Sequence, residues 1–300
     1  MSPAAARRRV TITPRTVRTR RIAFEYPPER LPRHYVGGDL VMSHVVTVLS
    51  SFFPEGEDFF IRSVRNYRDR VTDPELKAQV AGFIGQEVTH SREHRNFNDR
   101  LGALGYPTRQ IDRAIGALLR FGDRTTPRSS RLAVTAALEH YTATLAEVLL
   151  TDARAREMFD VDEVRSMLEW HALEENEHKS VAFDVYQTAV GNQFRRVWTM
   201  RVTTVSFLGI TILATVYSLL RDPVVYRQPR RLAASLRGLR HSPWLTPEVA
   251  RHIRDYNRRD FHPDDHDTTA LIEEWKVRLF GTEGELTERT KGRPEEATPS

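Results

Sequence analysis

Between residues 76 and 101, the apolar positions Leu76, Val80, Phe83, Phe97 and Leu101 mark one stripe of an α-helix. Glu87, His90 and His94 fill the vacant steps of that same stripe. A second stripe, Val164, Leu168, His171, Glu175, His178, Ala182, Val185 and Ala189, has the same form. A third, Leu132, Thr135, Glu139, Thr142, Ala146 and Leu149, carries a lone glutamate. Asp73 as N-cap and Pro74 in the first turn open the first of these helices, which Gly102 or Gly105 closes. The pattern predicts further helical stretches from Asp39 to Arg70, kinked or broken near Pro54 and Gly56, and over 108–121. It predicts others from Arg131 to Ala155 and from Asp162 to Val190. Strand signals are nearly absent, so the expected fold is all-α, a four-helix bundle with additional helices.

The flanks read differently. Residues 1–38, rich in arginine and broken by Pro14, Pro27, Pro28, Pro32 and Gly37-Gly38, are expected to form a basic extended or disordered arm outside the core. The bundle with its site is expected over 39–220, a helical extension packed on it over 221–280, and a disordered tail over 281–300. Val202 to Leu220 is a run of nineteen uncharged residues between Arg201 and Arg221. It is long enough to cross a bilayer, but its threonines and serines and the arginines at both ends favour a helix buried across the bundle. The alternatives are a membrane span, a membrane-surface contact or a homodimer face. The cluster His262-Pro263-Asp264-Asp265-His266-Asp267 reads as a polar turn, with Asp267 capping a last helix, before it reads as a metal site.

Charge narrows the partners. The net charge is +5, yet residues 1–35 hold nine arginines against Glu25 and Glu29, which leaves the remainder near −2. No basic body for nucleic acid follows, and no nucleic-acid partner is expected. There is no cysteine, so disulfides, iron–sulfur clusters and thiolate zinc sites are excluded, and any metal must sit on nitrogen and oxygen. With no apolar secretory signal at the start, the cytoplasm is the expected compartment, with membrane association through 202–220 as the exception.

Carboxylates and imidazoles on apolar stripes require a common partner, because taking them out of water costs several kcal/mol each. The order Glu57, Glu87-x-x-His90, Glu139, Glu175-x-x-His178 is the one with which four antiparallel helices hold two metal ions. Glu and His three residues apart share a face, so one ion takes both while a carboxylate bridges to the next. His94 and His171, one turn away on the same stripes, join Glu57, Glu87, His90, Glu139, Glu175 and His178 as candidate ligands. Hard oxygen donors with few imidazoles favour two Fe or Mn over Zn. Glu93 and Glu174 are the candidate catalytic acid/base residues.

These residues also carry a resemblance. The run Phe53-Pro54-Glu55-Gly56-Glu57-Asp58-Phe59-Phe60, Gln86-Glu87 through His94, Glu139-His140, Trp170 through Lys179 and Phe261-His262-Pro263 resemble the bacterial family labelled "predicted metal-dependent hydrolase" over about residues 20–280. The spacing His171-x-x-x-Glu175-x-x-His178 is similar to that of ferritin-like non-haem di-iron N-oxygenases acting on aryl amines. The extra His94 and the long uncharged segment set this chain apart from those enzymes.

The leading expectation is a di-iron centre that activates O2 to oxidise a small organic substrate, drawing on an external electron donor. An apolar substrate fits if 202–220 meets lipid. The alternative is a hydrolase. His90-Ser91-Arg92-Glu93-His94 fits His-x-x-Glu-His, in which two histidines hold zinc and the glutamate deprotonates its water, and the di-metal site offers a second route to hydrolysis. Non-catalytic iron handling is a third reading.

Overall fold

A computed structural model describes residues 12–290. Its helices are α1 (Leu40–Arg65), α2 (Pro74–Ala103), α3 (Thr108–Thr125), α4 (Arg128–Thr151), α5 (Ala153–Glu157) and α6 (Asp162–His178). They continue as α7 (Val181–Ala189), α8 (Gln193–Leu220), α9 (Pro223–Arg227), α10 (Pro229–Gly238), α11 (Pro247–Asp255) and α12 (Thr269–Phe280). No strand occurs among the described residues, and the fold is all-α.

The elements that matter for the site pack as two pairs, α1 against α2 and α4 against α6 and α7, with α1 also touching α4 and α2 touching α6. α1 and α2 are antiparallel: Ser50 meets Asn98, and the Pro54 carbonyl accepts from Ser91. Pro54 lies inside a single continuous α1. Proline has no N–H, so the carbonyl of Ser50 four residues earlier loses its helical donor, and the Asn98 amide donates to it instead at 2.9 Å. One apolar core, built on Phe97, Trp170, Leu173 and Trp275, lies on one side of the donors. Another, built on Phe60, Phe83, Phe183 and Tyr256, lies on the other.

Several expectations are corrected. The helix expected from Arg131 ends at Thr151, where Asp152 caps the short α5 by accepting from the Arg154 amide. The helix expected to run unbroken to Val190 is interrupted at Lys179-Ser180, so His178 is the last residue of α6. The described part of the arm has no regular secondary structure over residues 12–27, but it is not outside the core. Ile22, Phe24, Leu31, Tyr35 and Val36 are buried. The arm runs along α2 as a strap, with Gln79 donating to the Thr13 carbonyl, Gln86 to the Arg18 carbonyl and the Phe24 amide to Glu93. Its crossing requires two glycines. A Cβ on Gly82 would lie 2.1 Å from the Val17 carbonyl oxygen, and one on Gly85 would lie 1.9 Å from Thr19 Oγ1.

Residues 281–290 are likewise no loose tail, since Leu286 is buried in the first core and Thr287–Arg289 form a 3-10 turn. Residues 1–11 and 291–300, the remainder of the expected arm and tail, lie outside the described residues. The C-terminal segment meets the bundle where the Trp275 indole donates to the Leu150 carbonyl. His262 pairs with Asp184 at 2.9 Å, and Asp267 accepts from the Thr269 amide. Finally, α8 is not buried across the bundle. It lies on α1 and α4 with one face outward.

Candidate metal centre

Four helices each bring carboxylates or imidazoles to one buried place. Glu57 comes from α1, Glu87 and His90 from α2, Glu139 from α4, and His171, Glu175 and His178 from α6, and all are buried. His178 Nε2 stands 3.2 Å from Glu87 Oε1, 3.3 Å from Glu139 Oε2 and 3.7 Å from Glu175 Oε2. His171 Nε2 is 2.8 Å from Glu175 Oε1 and 4.0 Å from Glu57 Oε1. His90 Nδ1 is 3.8 Å from both Glu87 Oε1 and Glu175 Oε1. The donors thus form two overlapping sets, one ending at His178 and Glu139, the other at His171, His90 and Glu57. Glu87 and Glu175 lie between them.

Both oxygens of Glu57, Glu87 and Glu139, together with Glu175 Oε2, His90 Nδ1 and His178 Nε2, are buried and close no hydrogen bond. An unpaired buried polar atom costs roughly 1–3 kcal/mol, and an isolated buried charge costs more. Four carboxylates carry −4, which two divalent cations neutralise while three neutral imidazoles complete the shell. The residues fit a metal pair on charge and on donor type.

The hydrogen bonds behind the imidazoles fix which nitrogen faces inward. Gln86 donates its amide N–H to Glu177 Oε2 at 2.7 Å, so its carbonyl oxygen accepts from His178 Nδ1 at 2.8 Å, and His178 Nε2 keeps its lone pair for the site. His90 Nε2 donates to Glu174 Oε2 at 2.9 Å, which leaves Nδ1 inward. The third relay starts at Asn98, whose amide nitrogen is committed to the Ser50 carbonyl. Ser50 Oγ therefore donates to Asn98 Oδ1, His94 Nδ1 donates to Ser50 Oγ, and His171 Nδ1 donates to His94 Nε2 at 2.8 Å. His171 Nε2 is left as the inward lone pair. Phe53 stacks on the His94 ring, with centroids 4.4 Å apart.

Of the remaining expected site residues, His94 has both nitrogens engaged in that relay, and it also lies with Glu57 and His171 in a buried donor group of its own. Glu93, the glutamate of His-x-x-Glu-His, points away from the donors and accepts from the Phe24 amide and from Arg92. Glu174 holds His90 and is itself held by Arg20 at 3.0 Å, so it faces no reacting centre. Arg20 is the functional residue that sequence reasoning missed. It is 4% exposed and also grips Glu177 through two bonds of 2.7 Å, so one guanidinium stands behind both the His90 and the His178 relays. Its one sequence signal is the alternation of buried Arg20, Ile22 and Phe24 with Arg21, Ala23 and Glu25.

In the metal-free pocket, burial pushes Glu57 and Glu87 well above the usual carboxylate range, aided for Glu57 by Glu175 and for Glu87 by Glu139. Burial also pushes Glu139 up to about 7 against the pull of His178. Burial opposes charge on His178, but Glu139 and Glu175 override it and hold His178 above the ordinary imidazole range. Burial would raise Glu175 too, yet the neighbouring imidazoles of His171 and His178 keep it low. His90 is pushed down by burial and by its neighbour His171, which keeps it neutral.

The position of Glu93 yields a direct expectation. Glu93→Gln retains an acceptor for Phe24 and should leave metal-dependent turnover within about threefold, with a stability loss near 1 kcal/mol in thermal unfolding. Loss of a general base would instead lower turnover by roughly a hundredfold or more.

The sequence model of the family described as "Predicted metal-dependent hydrolase" matches residues 18–267. The chain belongs to that family. No curated protein and no solved structure matches it.

Proposed function

We propose that this chain is a hydrolase that works through two divalent cations held by Glu57, Glu87, His90, Glu139, His171, Glu175 and His178 inside a ferritin-like bundle. The observation that carries the reading is the set of buried, unpaired carboxylate and imidazole atoms aimed into one place, in a chain of this family. Bound there, divalent cations act as Lewis acids and lower the pKa of a water that they bind. Iron or manganese suits these donors before zinc.

The chain's own residues then have distinct tasks. Glu87 and Glu175 lie between the two donor sets and are suited to bridge them. Glu139 at the His178 end and Glu57 at the His171 end would hold the outer side of each cation. Arg20, Glu174, Glu177 and Gln86 hold His90 and His178 in the ligating tautomers. The apolar cores on either side keep bulk water from the carboxylates.

One observation keeps a second reading alive. Four carboxylates with three imidazoles also suit a redox-active iron pair that oxidises a small substrate with O2 and an external electron donor. The two separate cleanly in an anaerobic chamber. With Mn(II) or Fe(II) added, the hydrolase turns over a member of a panel of esters, amides and phosphoesters without O2, and a chelator stops it. Absence of turnover across the panel, with O2 consumed on adding Fe(II) in air, overturns the hydrolytic reading.

A further inference from the structure

The long helix α8 is built inside out. Toward the protein it presents Arg196, Thr199, Met200, Thr203, Thr215 and Ser218, most of them polar, whereas its outward face carries Trp198, Val202, Val205, Ile212, Leu213 and Val216. Val205 is 75% exposed and Leu213 is 71% exposed. A surface helix ordinarily does the reverse, so something apolar must cover this stripe. Among the described residues, α8 is the helix long and apolar enough to cross a membrane.

Its attachments argue against a crossing. Arg195 donates to Ser129 at the start of α4, Phe207 packs on Tyr141 and Phe52 midway, and Ser218 bonds His44 at the start of α1. α8 is therefore fixed lengthwise to α1, and α2, packed along α1, exposes Arg92 and Arg95 beside Ser50 and Pro54, level with the middle of α8, so a span would take those charges into hydrocarbon. Lying flat costs nothing of the kind.

Charge chooses between a lipid surface and a second copy. Residues 193–240 contain nine arginines against one acid, Asp222, in a chain whose total is +5. Asp222 is buried and already paired with Arg33, His34 and His44, so it offers no counter-charge outside. Arg201 and Arg221, at either end of the uncharged stripe, and Arg227, Arg230 and Arg237 beyond it are exposed. Two copies joined face to face would bring these arginines together. An anionic bilayer accepts both features, the apolar stripe among acyl chains and the arginines at phosphates, with Trp198 and Tyr217 near the two ends at headgroup depth. We propose that the outward face of α8 docks the protein flat on an anionic membrane surface.

Flotation of the full-length, metal-loaded chain with vesicles tests this. Vesicles of phosphatidylcholine and phosphatidylglycerol in equal parts should bind it at least about tenfold more tightly than phosphatidylcholine alone, and added salt should weaken that binding. Val205→Glu/Leu213→Glu and Arg221→Glu/Arg227→Glu should each weaken the anionic binding about tenfold or more. All these positions are on the surface, so metal content should stay at the wild-type level, which keeps this result separate from the fate of the metal centre. Wild-type chain that stays off anionic vesicles overturns the proposal, as does binding that both double variants leave unchanged. Equally decisive against it is a dimer, seen by light scattering, that Val205→Glu/Leu213→Glu splits while no vesicle binding is found.

Discussion

Glu175→Ala should leave the protein with a turnover at least roughly a thousandfold below wild type, because several kcal/mol of metal-ion catalysis go with the ions. Glu175 approaches His171 through one oxygen and His178 through the other, and lies as close to His90 as Glu87 does, so it joins both ends of the donor array. The loss should appear in metal content before it appears in folding. Without metal, Glu175 is the carboxylate held low beside His171 and His178, so its removal also costs an ion pair, and metal content measured on the folded fraction separates the loss of ions from that loss of stability.

The same pocket sets a pH dependence for the metal-free protein. Glu57, Glu87 and Glu139 hold protons more tightly when folded than when unfolded, so the folded state binds more protons above the ordinary carboxylate pKa. Stability is then fully present below about pH 4.5 and is lost as pH rises toward and through about 7, the value for Glu139. His178, raised as well, acts in the same direction; Glu175, held low, opposes it in the acid range, and His90 and His94, pushed down by burial, oppose it below about pH 6.5. Bound metal replaces those protons, so the holoprotein should lose this slope. Chemical denaturation at several pH values, with and without chelator, reads the difference.

Arg20→Met should cost about 3–5 kcal/mol, the usual penalty for stripping the partner from buried charges. Glu174 and Glu177 are both buried and both depend on that guanidinium, with Lys276 3.8 Å from Glu177. Metal affinity should fall as well, by roughly 10–100-fold, because His90 and His178 lose the groups that fix their tautomers. The triple variant Arg20→Met/Glu174→Gln/Glu177→Gln separates these effects. With no buried carboxylate left unpaired it should regain much of the stability, while metal affinity stays low. Full recovery of both would mean that the relay does not orient the ligands.

The donors Glu57, Glu87, His90, Glu139, His171, Glu175 and His178 were legible because helical spacing is a strict geometric filter. A charged residue on an apolar stripe at steps of three and four has to face the interior. The relays behind them were not. Nothing in a one-dimensional pattern separates His94 from His171, since both sit one turn from a Glu-x-x-His pair. Only the commitment of the Asn98 amide to the carbonyl freed by Pro54 decides which of the two keeps a lone pair. Arg20 was hidden for another reason. Among nine arginines and several prolines it looked solvated, and its burial depends on a strap crossing Gly82 and Gly85 some sixty residues later in the chain. The uncharged run in α8 reads as core because its threonines and serines and the arginines at both ends weigh against a span. Here the bundle is already closed by α1 and α4, and the run lies on their outside.

Elemental analysis of the full-length chain, purified without chelator and reloaded with Mn(II) or Fe(II), tests the shared centre most directly. Two ions per chain for the wild type, falling below one in Glu175→Ala and in His178→Ala, is the expected result. One ion or none in the wild type, or two ions retained by both variants, would contradict it.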